Sequence, residues 1–117
     1  MVHTPPPRFI RKVAPGSRAQ ITLILQNDHR GTFNAEIWDV RGPGDHSGAL
    51  VPGVPLSLGP LSPPSVIYID GDFHTNMDPN NDRIEIELDG QRRIIPLSGK
   101  KDDSVVVVAF VYPVMPV

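Results

Sequence analysis

Thirteen residues, Asp70-Gly71-Asp72-Phe73-His74-Thr75-Asn76-Met77-Asp78-Pro79-Asn80-Asn81-Asp82, hold four carboxylates and three carboxamides, with no lysine or arginine among them. Like charges on one loop repel unless water screens them or a bound cation gathers them. Calcium suits such a set, because it takes oxygens from carboxylates, amides and backbone carbonyls in flexible geometry. The spacing is not that of an EF-hand: no glutamate closes the loop and no flanking helix is expected. We therefore expect an inter-strand calcium loop with Asp72, Asp78, Asn80, Asn81 and Asp82 as ligands. Asp70, His74 and Asn76 are expected to line the adjoining ligand site. The alternative is a solvated turn, since Asp, Asn, Gly and Pro are the ordinary turn residues. Phe73 and Met77 are then either recognition groups or the means by which the loop tucks down.

A second group with binding chemistry is Trp38, the one tryptophan of the chain. Phe33, Ala35 and Ile37 alternate with Asn34, Glu36 and Trp38, so a core-facing first set turns Trp38 outward or toward a neighbour. An indole beside Asn, Asp and Glu suits a sugar, its ring covering the apolar face of a pyranose while the polar groups bond the hydroxyls. The competing role is a core or subunit-interface tryptophan.

Catalytic patterns are thin. Asp45-His46-Ser47 is contiguous, but a triad is assembled in space and adjacent residues point apart. No nucleophile elbow, phosphate loop or dinucleotide fingerprint is present. His29, His46 and His74 lie in separate segments with no short ligand spacing between them. A small metal-dependent hydrolase would need these three rings in one pocket.

The elements that must position these groups read as strands. Ile84, Ile86 and Leu88 alternate with Arg83, Glu85, Glu87 and Asp89, which marks a half-buried antiparallel strand. Asp89-Gly90 then supplies the positive φ of a two-residue hairpin and pairs this strand with Arg92–Leu97. Ser104–Tyr112, with four consecutive valines, reads as a central strand. Ile21, Leu23 and Leu25 mark another, and Arg8–Val13, Val54–Leu58 and Ser65–Asp70 are further candidates. About eight short strands result, punctuated by Pro-Gly, Gly-Pro-Gly and Ser-Gly. The proline-rich stretch 51–65 reads as an extended edge that resists strand addition. The fold class is all-β: one antiparallel two-sheet sandwich, jelly-roll or immunoglobulin-like, over residues 8–113. It is preceded by a proline-rich arm at 1–7 and followed by an apolar tail at 114–117.

Composition narrows the classes. A chain of 117 residues has room for one modest core, and ten glycines with fourteen prolines exclude a helical bundle. The absence of cysteine excludes disulfides, thiolate zinc sites and a cysteine nucleophile. No apolar run is long enough for a membrane span. A net charge of −2 argues against a nucleic-acid partner. The charge is uneven: residues 1–18 carry Arg8, Arg11, Lys12 and Arg18 with no acid, whereas 42–82 carry five aspartates and no lysine or arginine. The N-terminus lacks the apolar region of a secretory signal, which suits a cytoplasmic protein or one released by a non-standard route.

The stretch Ser65–Leu88 resembles the metal-binding end of the small bacterial galactose-binding calcium lectins of jelly-roll fold. The residues that carry the likeness are Val66-Ile67-Tyr68-Ile69, then Asp72 and Asn80-Asn81, then Ile84-Glu85-Ile86-Glu87-Leu88. It covers about a fifth of the chain, its Asp-to-Asn spacing is longer than the family's, and almost thirty residues follow where the family's chain is nearly finished. The resemblance implies that Asp72, Asn80 and Asn81 help hold a calcium that itself coordinates sugar hydroxyls. The function expected is a non-catalytic, carbohydrate-binding, lectin-like module, acting as a homo-oligomer because shallow sites gain affinity by multivalency. The alternative is a structural or protein-interaction subunit of a homo-oligomeric assembly, capsid-like or adhesin-like.

Overall fold

The computed structural model describes residues 2–3, 8–39 and 42–114, with side chains described at residue 10 and over 13–39 and 46–114. The Asp89-Gly90 hairpin forms as its residue types require, with φ of 50° and 75° at the two turn positions. It joins β8 (Arg83–Leu88) to β9 (Gln91–Pro96), pairing Leu88 with Gln91 and Ile84 with Ile95. β8 pairs on its other side with β3 (Ala19–Ile24), and β3 with the three-residue β6 (Leu56–Leu58). This smaller sheet has the order β6-β3-β8-β9. The proline-rich stretch thus contributes a short edge strand, and Pro96 ends the other edge, where a missing N–H costs no ladder bond.

The larger sheet is built from β4 (Gly31–Asp39), β5 (Gly42–Leu50), β7 (Ser65–Phe73) and β10 (Ser104–Pro113), in the order β10-β7-β4-β5 and antiparallel throughout. Beyond β10, β1 (Val2–His3) and β2 (Arg8–Val13) both pair with it in parallel. The protein is all-β, two antiparallel sheets packed as a sandwich. Alternate residues Phe33, Ala35 and Ile37, Ile67 and Ile69, and Val105, Val107, Ala109 and Val111 bury the inner face of the larger sheet. They meet Ala19, Ile21, Leu23, Ile84, Ile86, Leu88 and Ile95 of the smaller one in a single core. Burying such side chains contributes about 1.5–3 kcal/mol each, which is why period-two patterning decides the fold.

Three local features lie beyond the expected strands. Gly42–Leu50, read as Gly-Pro-Gly punctuation and a loop, is a strand that pairs with β4 from Phe33↔Leu50 to Asp39↔Gly42. As an edge strand it has a free side on which proline and glycine break no ladder, and a register shift between Glu36 and Trp38 absorbs the irregularity. β7 runs past its expected end at Asp70 through Phe73, so Asp72 is a strand residue and not a loop residue. The N-terminal arm contributes Val2 and His3 to the sheet; arm residues 4–7 and tail residues 115–117 lie outside the described residues.

Gly71 and Gly31 are required where they stand. A Cβ at Gly71 would lie 2.2 Å from the Phe33 ring, and one at Gly31 would lie 2.5 Å from it. The ring fills the space these two glycines leave on the inner face, and meets Phe73 at 6.0 Å between centroids.

Candidate functional site

The segment from His74 to Asp82 carries the chain from the larger sheet to the smaller one, and the side chains of Thr75, Asn76, Asp78 and Asp82 accept from neighbouring backbone N–H groups. Asp82 is fully buried. Its Oδ1 accepts the Gln26 N–H at 2.9 Å, and its Oδ2 accepts the Asp78 N–H at 2.7 Å and His29 Nδ1–H at 2.6 Å. With Nδ1–H given to Asp82, His29 Nε2 is left to accept from Gln26 Nε2 at 2.8 Å. One carboxylate thereby fastens the β7–β8 crossing to the β3–β4 crossing, two of the connections between sheets at this end. Asp78 accepts the Asn80 N–H at 3.0 Å and the Asn81 amide at 2.8 Å. The Asn80 bond first and the Asn81 bond second hold the Asp78 carboxyl below its ordinary value of 3.8. Asn76 Oδ1 accepts the Lys101 N–H at 2.8 Å, and Met77 and Gly99 exchange a bridge. Phe73 and Met77 are buried, so the loop tucks down.

The outer face of the larger sheet is different in kind. Across β4, β7 and β10 its residues fall into rows: Trp38–Val66–Phe110, Glu36–Tyr68–Val108, Asn34–Asp70–Val106 and Thr32–Asp72–Ser104. The last row is polar. Ser104 Oγ–H donates to Asp72 Oδ1 at 2.5 Å, and the Thr32 hydroxyl lies 3.3 Å from Nε2 of the exposed His74. At the first row Trp38 is 44% exposed, and its ring lies 6.1 Å from Tyr68 with the planes inclined by 25°. Beside it opens a shallow, mainly apolar groove of about 240 Å³, lined by Trp38, Asp39, Pro64, Val66, Phe110 and Tyr112 among others. Val66 and Asp72 are six residues apart on β7, so the aromatic and polar ends of this face stand about 20 Å apart.

The sequence-derived site residues therefore divide into two groups. Trp38, Asp70 and Asp72 share the outer face of the larger sheet, with His74 just beyond its polar end. Asn76, Asp78, Asn80, Asn81 and Asp82 belong to the crossing loop, where the side chains of Asn76, Asp78, Asn81 and Asp82 hold parts of the fold together. Asn80 acts through its N–H. The five residues expected as calcium ligands are divided between these two places. The buried Asp82 accepts from three donors, Asp78 accepts from Asn80 and Asn81, and Asp72 bonds Ser104 on another face. Among the described residues no three His, Asp or Glu side chains converge as a metal ion requires.

Several residues now seen in these arrangements carry no local signal in the sequence. Gln26 and His29 lie more than fifty residues from Asp82, and only the β3–β8 pairing brings them to it. Thr32 and Ser104 reach Asp72 through strand register alone. His29, His74 and His46 stand on separate elements: His29 at Asp82, His74 beside Thr32 and His46 on β5. His46 and Ser47, being successive strand residues, point to opposite faces. No family model, curated protein or solved structure matches the chain.

Proposed function

We propose that the protein is a non-catalytic binding module that holds carbohydrate on the outer face of the larger sheet, at the Trp38 end. One observation carries this: an exposed indole, associated with Tyr68, borders a groove whose neighbouring row presents Glu36 and the Tyr68 hydroxyl. Such a surface offers a pyranose both of its needs, a flat apolar platform and acceptors and donors at the rim. A groove of about 240 Å³ is small and shallow, so each site binds weakly and useful affinity comes from several copies acting together. The stacking reading needs no ion. Glycan-array binding by the wild-type protein and by Trp38→Ala tests it, with thermal melting to show that both are folded. Binding lost only in Trp38→Ala supports the reading. An array on which neither protein binds, or both bind equally, contradicts it.

A second reading, a subunit that assembles through this face, is favoured by the β10 residues Val106, Val108 and Phe110. The solvent face of an antiparallel sheet is ordinarily polar, and the smaller sheet is nearer that pattern, with Gln20, Thr22, Glu85, Glu87 and Arg92 outward beside one exposed Ile94. Light scattering of Val108→Glu discriminates. A fall in mass at unchanged glycan binding assigns the valines to assembly and leaves Trp38 with the sugar.

A further inference from the structure

Charge on the proposed binding face is one-sided. Four consecutive strands of the larger sheet, β10, β7, β4 and β5, contain no lysine or arginine at all. Glu36, Asp70 and Asp72 instead occupy three successive outward rows beside and beyond the Trp38–Tyr68 pair, and Asp39 lies in the groove. Outside these strands, Arg30 stands two residues before Thr32 and Lys100-Lys101 shortly before Ser104, so these cations lie at the Asp72 end of the face. Arg30 is six residues from Glu36, about 20 Å along an extended strand and more than a Debye length at physiological salt, so they offset Glu36 only weakly. The smaller sheet differs, its outward Glu85 being paired with Arg92 and Arg83.

Resting on the carbohydrate reading above, we propose that the ligand is a linear oligosaccharide of amino sugars, its rings stacked on Trp38 and Tyr68 and its ammonium groups facing Glu36, Asp70 and Asp72. The acids follow one another along β7 and its neighbour β4, so a chain laid parallel to these strands meets a carboxylate at each successive row. Neutral glycans keep the stacking and lose the charge contacts. Uronic acid or sulfated glycans meet repulsion along the whole path.

The lone tryptophan makes the experiment direct, because intrinsic indole fluorescence reports this site and no other. The wild-type protein is titrated with a glucosamine oligomer, the N-acetylated oligomer of equal length and a galacturonic acid oligomer, in about 20 mM and about 300 mM salt. We expect the glucosamine oligomer to bind roughly tenfold more tightly than its acetylated counterpart at low salt, the sum of two or three exposed charge pairs. High salt is expected to close that gap, and Glu36→Gln with Asp70→Asn to close it at low salt. Equal binding of the charged and acetylated oligomers, or tightest binding of the galacturonic acid oligomer, overturns the charge assignment while leaving the carbohydrate reading intact. Fluorescence unmoved by any of the three overturns both.

Discussion

His29 and Asp82 stand fifty-three residues apart in the chain and are joined Nδ1 to Oδ2 at 2.6 Å, with the carboxylate wholly out of water. The same carboxylate holds the backbone of Gln26 and Asp78, so it fixes the relative position of the two sheets where the chain crosses between them. A buried acid with all of its partners present is tolerated; one whose partners lose it leaves donors stranded.

Asp82→Ala is therefore expected to lower stability by about 3 kcal/mol, the cost of leaving buried donors without an acceptor. Asp82→Asn, which keeps one carbonyl oxygen, is expected to cost less. Urea denaturation measures both. A loss under about 0.5 kcal/mol for the alanine variant, the level of ordinary surface changes, contradicts the role given to this residue.

Calcium is expected to leave the thermal midpoint unchanged. An ion that binds the folded state alone must raise it, whereas here the loop's carboxylates already accept from Gln26, His29, Asn80, Asn81 and the Asp78 N–H. Melting with millimolar calcium and with a chelator checks this, and a rise of several degrees with calcium would falsify the arrangement described.

The acid limb of the stability profile carries the mark of Asp78. Its carboxyl is held below the ordinary 3.8 by Asn80 and Asn81, so the folded state favours the ionised form. The resulting stability is complete above the unfolded value and is lost as pH falls through the lower, folded value. Asp78→Asn is expected to flatten the decline of the thermal midpoint below about pH 4, while leaving the profile near neutrality parallel to wild type. Superimposable acid limbs for the two proteins contradict this.

Gly71→Ala is expected to destabilise by about 1–3 kcal/mol, as overpacking does, because the new methyl enters the Phe33 ring. Phe33→Leu, which costs stability by itself, should recover part of that loss when combined with it. A double-mutant cycle reads the coupling, and strict additivity of the two substitutions contradicts the contact.

The sandwich was legible because burial enforces period two: Ile84, Ile86 and Leu88 had only one way to share a face, and Asp89-Gly90 could only turn. β5 was not, since Gly42–Leu50 has few apolar residues and is held by register to β4 rather than by its own pattern. The Asp- and Asn-rich crossing was visible as an unusual cluster of oxygens, yet composition does not say what the oxygens face. Gln26, His29, Lys101 and the backbone of Asp78 turned out to be the donors, and none of these is marked by spacing within the loop. Trp38 was placed on the outer face by alternation alone. What alternation cannot supply is the distance along β7 from that face's aromatic end to Asp72, about 20 Å, which separates two features that looked like one site.

The central claim, that the binding surface is the aromatic end of the larger sheet and not the acidic crossing, is tested most directly by a nitrogen–proton NMR titration with a chitin oligomer. The chain has one tryptophan, so one indole Nε1–H signal reports Trp38. That signal and the backbone amides of Val66, Tyr68 and Phe110 are predicted to shift together and saturate, while the amides of Asp78, Asn81 and Asp82 stay in place. Movement of the crossing-loop amides with a stationary indole, or a spectrum that no sugar perturbs, contradicts it.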